Sequence, residues 1–235
     1  MLNCLVTTID LQGLGKIKVK DKRFYVPDNS DGYFHVYNRG VDKRVIFTDR
    51  QDFLRFEETI SYYIKGPHEL SLAQQKDHPD LDLEGLDKHL SQRVEVLAYC
   101  LMQNHYHLLL KSISHNGISK FMSDISNSYT RYFNTKHDRS GHLFQGRYQK
   151  KQIPDDPSLF QVSRYIHLNP TIDPFKYRYS SLSFWIDRTT PTNILSRTEV
   201  NRWINTMGGV NSYSSFINAK TQMSSCDGIE DLLFS

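Results

Sequence analysis

Two histidines separated by one residue stand inside an apolar segment, in the run CLMQNHYHLLLK at residues 100–111. On a β-strand successive side chains point to opposite faces, so His105 and His107 would share one face while Tyr106 lies on the other. Two neutral imidazoles in this arrangement can bind one divalent cation and leave most of its coordination sphere open. Two hydrogen-bonded histidines without a metal would give the same pattern, and the spacing alone leaves both interpretations open.

A second pair of polar side chains occurs in the segment SRYIHLNP, residues 163–170. Tyr165 and Asn169 are four residues apart, so on a helix they lie on one face, one turn from each other. A phenol can act as a nucleophile and a carboxamide oxygen can bind a metal, which makes this pair a candidate for covalent catalysis. The chain has 14 tyrosines, so an ordinary packing role for Tyr165 is the alternative.

The segment 131–151 is basic and rich in aromatic residues. It holds six Lys or Arg residues and a single acid, Asp138, although the whole chain carries a net charge of only +3. Single-stranded nucleic acids are bound by this mixture, since cations contact phosphates and aromatic rings stack on bases. A solvated charged face and ordinary core aromatics are the alternatives. The candidate nucleic-acid contacts in this segment are Arg131, Arg139, Phe144, Arg147, Tyr148 and Lys150.

The hydrophobic pattern predicts the elements that position these residues. Strands are expected at about 33–38, 93–102, 105–113 and 146–153, and Gln103-Asn104 forms a hairpin turn between the middle two. Helices are expected after Thr48 or Asp49, at 117–137, and at about 157–168, where Asp156 is the expected N-cap. The order strand, helix, strand, strand, helix, strand, helix predicts an α+β fold: a ferredoxin-like antiparallel sheet with helices on one face and one added helix.

Length and composition exclude several classes of protein. The chain has 235 residues and no apolar stretch near the roughly 20 residues that a membrane span needs, which predicts a soluble protein. Its three cysteines are far apart, so they predict neither a disulfide framework nor a cysteine metal site. We expect an N-terminal extension at 1–31, a main domain at 32–184 with an inserted loop at 67–92, and a partly flexible C-terminal helical appendage at 185–235.

Five blocks of sequence then indicate a family: YFHVYNRG, VEVLAYCLMQNHYHLLL, SYTRYFNTKHDRSGHLFQGRYQ, SRYIHLNP and YRYSSL, in this order. They resemble the REP-associated tyrosine transposases, relatives of the single-tyrosine HUH transposases, over about residues 32–184. The resemblance implies that His105, His107 and Asn169 bind Mg²⁺ or Mn²⁺, and that Tyr165 is the nucleophile. The implied activity is cleavage and rejoining of single-stranded REP-type DNA hairpins through a 5′-phosphotyrosine intermediate, as in DNA transposition. Tyr106 is bulkier than the residue usual in the family at that position.

The resemblance also guides the remaining expectations. Asn38 and Arg39 end the first strand and are added to the candidate DNA contacts, whereas His35 is interpreted as structural. No mechanistic role is assigned to Ser180 and Ser181. We expect a cytoplasmic, nucleoid-associated bacterial protein that acts as a monomer, with a helix-exchanged dimer as the alternative. A hairpin-binding protein for DNA or RNA that lacks catalysis is the alternative function.

Overall fold

A four-stranded antiparallel sheet forms the centre of the computed structural model, which describes residues 32–79, 90–187 and 192–219. Its strands are β1 (Tyr33–Arg39), β4 (Val94–Met102), β5 (His105–Ser112) and β6 (Gln149–Ile153), in the spatial order β4-β5-β1-β6. Two short strands, β2 (Lys65–Gly66) and β3 (Ser91–Gln92), pair separately at the ends of the predicted inserted loop. The predicted hairpin between β4 and β5 and the predicted α+β class are confirmed.

Seven α-helices lie in the described residues: three where the apolar spacing predicts them, one short helix in the predicted inserted loop, and three between residues 182 and 218. They are α1 (Arg50–Tyr63), α2 (Leu72–Asp77), α3 (Gly117–Lys136), α4 (Asp156–Leu168), α5 (Leu182–Ile186), α6 (Arg197–Thr206) and α7 (Val210–Asn218). One-turn 3₁₀ helices occur at Val41–Lys43 and Pro174–Lys176. The predicted cap of α1 is Asp49, whose side chain accepts a hydrogen bond from the amide of Asp52.

The two faces of the sheet carry different helices. Tyr106 of β5 is fully buried on one face, where its ring contacts Phe56 of α1 at a centroid distance of 5.0 Å. Tyr129 of α3 packs against the same Phe56 at 4.9 Å, so α1 and α3 cover this face. Helix α4 packs on β4 and β5 from the opposite side, the face to which His105 and His107 point.

Helix α4 starts one residue earlier than the sequence predicts. The N-cap is Asp155 and not Asp156: Asp155 is extended, and its side chain accepts a hydrogen bond from the amide of Ser158 at 2.8 Å. Asp156 would have to cap the amide of Leu159, but that amide already donates to the backbone carbonyl of Asp155. Asp156 is therefore the first residue of the helix, and Pro157 follows it in the first turn, where a missing N–H costs nothing.

The C-terminal helices pack on the rest of the described chain. Backbone hydrogen bonds from Ser196 to Val96 and from Leu101 to Tyr179 attach two segments to the outer edge of β4. Helix α6 matches the predicted helical segment, and Tyr213 of α7 is completely buried. The predicted division into 1–31, 32–184 and 185–235 stays a prediction, and the extension at 1–31 lies outside the described residues.

Within 32–79, 90–187 and 192–219, no helix is both long and apolar enough to cross a bilayer.

Candidate active site

Helix α4 places Tyr165 and Asn169 directly against the two histidines of β5. The rings of Tyr165 and His107 meet edge to face at a centroid distance of 5.4 Å. One turn further along α4, Oδ1 of Asn169 lies 3.0 Å from Nε2 of His105. The structure therefore brings together all four residues that the sequence assigned to metal binding and nucleophilic attack.

The surroundings of His105 suit a cation-binding imidazole. Its Nδ1 lies 2.6 Å from Oδ1 of Asn104, and its Nε2 faces Oδ1 of Asn169. Burial lowers the pKa of His105. The hydrogen bond with Asn169 raises this pKa, and the nearby charge of Arg39 lowers it. A neutral imidazole carries one N–H, whereas His105 faces two acceptor oxygens. A proton on Nδ1 donates to Asn104 and leaves the lone pair of Nε2 facing the oxygen of Asn169.

The 3.0 Å separation between Nε2 of His105 and Oδ1 of Asn169 fits a shared cation. An octahedral ion with bonds of about 2.1 Å holds adjacent ligand atoms about 3.0 Å apart, because that distance is the bond length multiplied by √2. His105 and Asn169 therefore fit an ion of the size of Mg²⁺ or Mn²⁺, and the ring of His107 lies beside that of His105, with centroids 5.1 Å apart.

His107 is more deeply buried than His105. It is fully buried, and its Nδ1 lies 2.9 Å from Nε2 of His35, which is also fully buried on β1. Burial, and then the neighbouring His35 and His105, hold the pKa of His107 well below its ordinary value. His107 is therefore neutral at physiological pH, which is the form of imidazole that binds metals.

Other metal chemistry finds little support in the described part of the chain. There, no group of three or more His, Cys, Asp or Glu side chains could hold a metal ion, and the candidate set depends on the carboxamide of Asn169. Cys100 pairs with His107 across β4 and β5, but burial raises the pKa of its thiol. The thiol therefore stays protonated and is a poor ligand.

Some predicted nucleic-acid contacts lie at the histidine end of the sheet. Arg39 pairs with His105 in the β1–β5 register and is partly exposed. Arg44 is exposed nearby. The pKa of Arg139 is lowered by burial and then by the charge of Arg44. Arg147 is exposed, and its guanidinium lies 5.5 Å from the ring centroid of Tyr148. These cations give this end of the sheet a positive surface.

Other predicted contacts lie on the opposite side of the sheet. Asn38 is buried on the face opposite the histidines, and its side-chain amide donates to the carbonyl of Gly146 at 3.2 Å. Phe144 is buried against Tyr106, with a centroid distance of 5.8 Å. Arg131 is exposed on α3, the helix that covers that same opposite face. Their roles in DNA binding stay predictions.

Lys151 belongs to the predicted basic segment 131–151 but is not among the contacts named from the sequence. The β1–β6 register pairs Lys151 with His35 and Lys150 with Val36, so the two lysines point to opposite faces. Nζ of Lys151 lies 5.8 Å from the ring centroid of Tyr37, a ring that itself contacts His107, whereas Lys150 lies over Phe34. Burial, followed by the nearby Tyr165, raises the pKa of Tyr37. Lys151, and not the predicted Lys150, is therefore the lysine on the histidine face.

A buried polar network fixes α4 from its other side. His167 is hydrogen-bonded through Nδ1 to the hydroxyl of Tyr213 at 2.7 Å and through Nε2 to the hydroxyl of Ser181 at 2.8 Å. The amide of Tyr99 on β4 donates to the same Ser181 oxygen at 2.8 Å. The network gives Ser181 the structural role that the sequence left open, and it connects α4 to β4 and α7.

Residues 86–169 match the family model described as "Transposase IS200 like". This segment is similar to the IS200-like transposases. It contains β4, β5, α3, β6 and α4, and so includes His105, His107, Tyr165 and Asn169. The resemblance to single-tyrosine transposases stated from the sequence is confirmed over this segment.

One solved structure and the curated proteins complete the comparison. A structure described as "Structure of the REP associates tyrosine transposase bound to a REP hairpin" matches at 14% identity and a TM-score of 0.45, over 75% of this chain and 90% of that chain. No curated protein matches the chain.

Proposed function

We propose that this protein cleaves and rejoins single-stranded DNA hairpins through a covalent bond between the DNA and Tyr165. The observation that carries the proposal is the meeting of α4 and β5, which sets Tyr165 on His107 and Asn169 on His105. The transposase family model covers both elements, which supports DNA strand transfer over other uses of a tyrosine beside two histidines.

The cation of this proposal is Mg²⁺ or Mn²⁺, held by His105, His107 and Asn169. When bound, it would offset the negative charge of a backbone phosphate and polarise the phosphorus, which is a poor electrophile in a phosphodiester. Two imidazoles shift the preference of the donor set towards Mn²⁺. Tyr165 stands beside these ligands, where the scissile phosphate would lie.

The strand transfer proceeds by exchange of one phosphorus–oxygen bond for another. The hydroxyl oxygen of Tyr165 attacks the phosphorus while the bond from phosphorus to the 3′ oxygen breaks. The phenol loses its proton and the departing 3′ oxygen gains one, so the products are a 5′-phosphotyrosine and a free 3′-hydroxyl. Attack by another 3′-hydroxyl reverses the step and rejoins strands, and the stored phosphodiester bond makes an external energy source unnecessary.

DNA binding in this proposal uses the cations of the histidine end. Arg39, Arg147 and Lys151 contact backbone phosphates, and REP-type hairpins are the proposed substrate because of the resemblance of the sequence blocks. We further propose that a monomer is active, since Tyr165 lies beside His107 of its own chain, and that it acts on the nucleoid in the bacterial cytoplasm.

The test is a denaturing gel of the full chain with labelled single-stranded palindromic oligonucleotides in Mn²⁺, Mg²⁺ or EDTA. We expect a metal-dependent adduct stable in SDS, reduced more than about 1000-fold in Tyr165→Phe because the nucleophile is gone. Tyr62→Phe is the matched control, since the hydroxyl of Tyr62 donates to the carbonyl of Leu70. Binding of several hairpins without any adduct would refute catalysis and support the non-catalytic alternative.

A further inference from the structure

We propose that His35 is a positioning residue that holds His107 in the tautomer able to bind the cation. The inference rests on the proposed function, because it concerns how the cation site is prepared. His35 lies on β1 and the candidate ligands lie on β5 and at the end of α4, so His35 acts through His107.

The contact between the two imidazoles is close and inaccessible to water. Nε2 of His35 lies 2.9 Å from Nδ1 of His107, and both side chains are 0% exposed. Their ring centroids are 5.1 Å apart and their planes differ by 23°, so the two rings meet edge to edge and nearly in one plane, as an N–H···N hydrogen bond requires. Tyr37 and Tyr165 pack on the same pair, which restricts rotation of either ring.

Only one arrangement of protons serves metal binding. A neutral imidazole carries a proton on one nitrogen and a lone pair on the other. When Nδ1 of His107 carries the proton and donates it to Nε2 of His35, Nε2 of His107 keeps the lone pair that a cation needs. Ligand histidines generally have their second nitrogen bound in this way, usually by a carboxylate or a carbonyl. Here the acceptor is another imidazole.

His105 shows the same arrangement with a different acceptor. Its Nδ1 lies 2.6 Å from Oδ1 of Asn104, which leaves Nε2 directed at Asn169. The sequence assigned Asn104 to the hairpin turn alone. Both candidate histidine ligands thus have Nδ1 held by a neighbour, and this repetition favours an orienting role for His35 over simple packing.

The first test observes the tautomer directly. Long-range ¹H–¹⁵N correlation spectra of the metal-free full chain should show His107 protonated on Nδ1 and unprotonated on Nε2. In His35→Phe, which removes the acceptor but keeps a ring, this preference should be lost. A wild-type His107 protonated on Nε2 would overturn the inference.

The second test measures Mn²⁺ binding by electron paramagnetic resonance, without DNA. His35→Phe should weaken binding by about 10–100-fold, the usual effect of losing such a partner. His35→Gln should recover most of the affinity, because its carboxamide oxygen can accept from Nδ1. His68→Phe is the control, since His68 stacks on Tyr62 in the connection between α1 and α2. Wild-type affinity in His35→Phe would contradict the inference.

The two proposals fail in different ways. If the wild-type chain shows the expected tautomer and binds Mn²⁺ but forms no adduct with DNA, the strand-transfer proposal is wrong while the role of His35 stands. If the adduct forms and His35→Phe keeps both the tautomer and the Mn²⁺ affinity, the role of His35 is wrong.

Discussion

Removing the hydroxyl group of Tyr213 should destabilise the protein although no catalytic group is touched. Tyr213 is fully buried on α7, and its ring packs on Trp185 at a centroid distance of 4.6 Å. Its hydroxyl lies 2.7 Å from Nδ1 of His167 and 3.1 Å from the hydroxyl of Ser163. Tyr213→Phe keeps the ring and its packing, so the measured effect reports the polar contacts.

The expected loss of stability depends on which buried polar groups lose their hydrogen-bond partner. A typical hydrogen bond contributes about 1 kcal/mol net, but removing one partner costs about 1–3 kcal/mol when the other is left buried and unpaired. The nitrogen concerned is Nδ1 of His167, whereas Ser163 keeps its donation to the carbonyl of Phe160 at 2.8 Å. We therefore expect a loss of about 1–3 kcal/mol in unfolding free energy, which lowers Tm by roughly 2–12 °C for a chain of this length.

Urea unfolding followed by circular dichroism measures the change, with Tyr62→Phe as the control. The hydroxyl of Tyr62 donates to a carbonyl in a half-buried position, so its removal should cost less than about 1 kcal/mol. A double-mutant cycle with His167→Phe should give a coupling energy of about 1 kcal/mol or more. A loss in Tyr213→Phe no larger than that in Tyr62→Phe would refute the reasoning.

Three further predictions test the buried histidine, the cationic surface and the ligand set. Burial lowers the pKa of His167 to about 3, below the ordinary histidine value of about 6.5. The contribution of this residue to the free energy of unfolding is therefore complete above about pH 6.5 and is lost on acidification, by up to about 1.4 kcal/mol per pH unit. Urea titrations that show constant stability between about pH 6.5 and 5 would contradict this. In anisotropy titrations, Lys151→Ala should weaken hairpin binding about fivefold and reduce the slope of log binding constant against log salt concentration by about 1, and Lys150→Ala should have smaller effects. Equal effects of the two substitutions would disprove the assignment of Lys151 to the DNA-binding face. Asn169→Ala should weaken Mn²⁺ binding at least about tenfold, unlike Asn218→Ala on the exposed surface of α7, and unchanged affinity would exclude Asn169 as a ligand.

The sequence predicted the elements of this fold well because their signals are local. The hairpin of β4 and β5 follows from two apolar runs that meet at Gln103-Asn104, and the placement of Tyr165 and Asn169 on one face follows from helical spacing alone. Even the error at the start of α4 was local, since two adjacent aspartates compete to cap the same turn.

Partners across the fold could not be predicted in the same way. His35 and His107 are 72 residues apart, and His167 and Tyr213 are 46 residues apart. Their contacts depend on strand register and helix packing, for which the sequence pattern holds no direct signal. The choice between Lys150 and Lys151 has the same origin, because a one-residue shift of register reverses which side chain faces the histidines.

Helix α4 thus has two polar faces with different roles. One face presents Tyr165 and Asn169 to β5, and the other buries His167 in hydrogen bonds to Ser181 and Tyr213. A helix held only by apolar contacts could rotate or slide without leaving a polar group unpaired, whereas these bonds penalise such movement. The network therefore sets the rotation of α4 about its axis, and with it the position of Tyr165, the proposed nucleophile, relative to the proposed ligands. Loss of the Tyr213 hydroxyl should consequently slow adduct formation even at temperatures where the chain is fully folded.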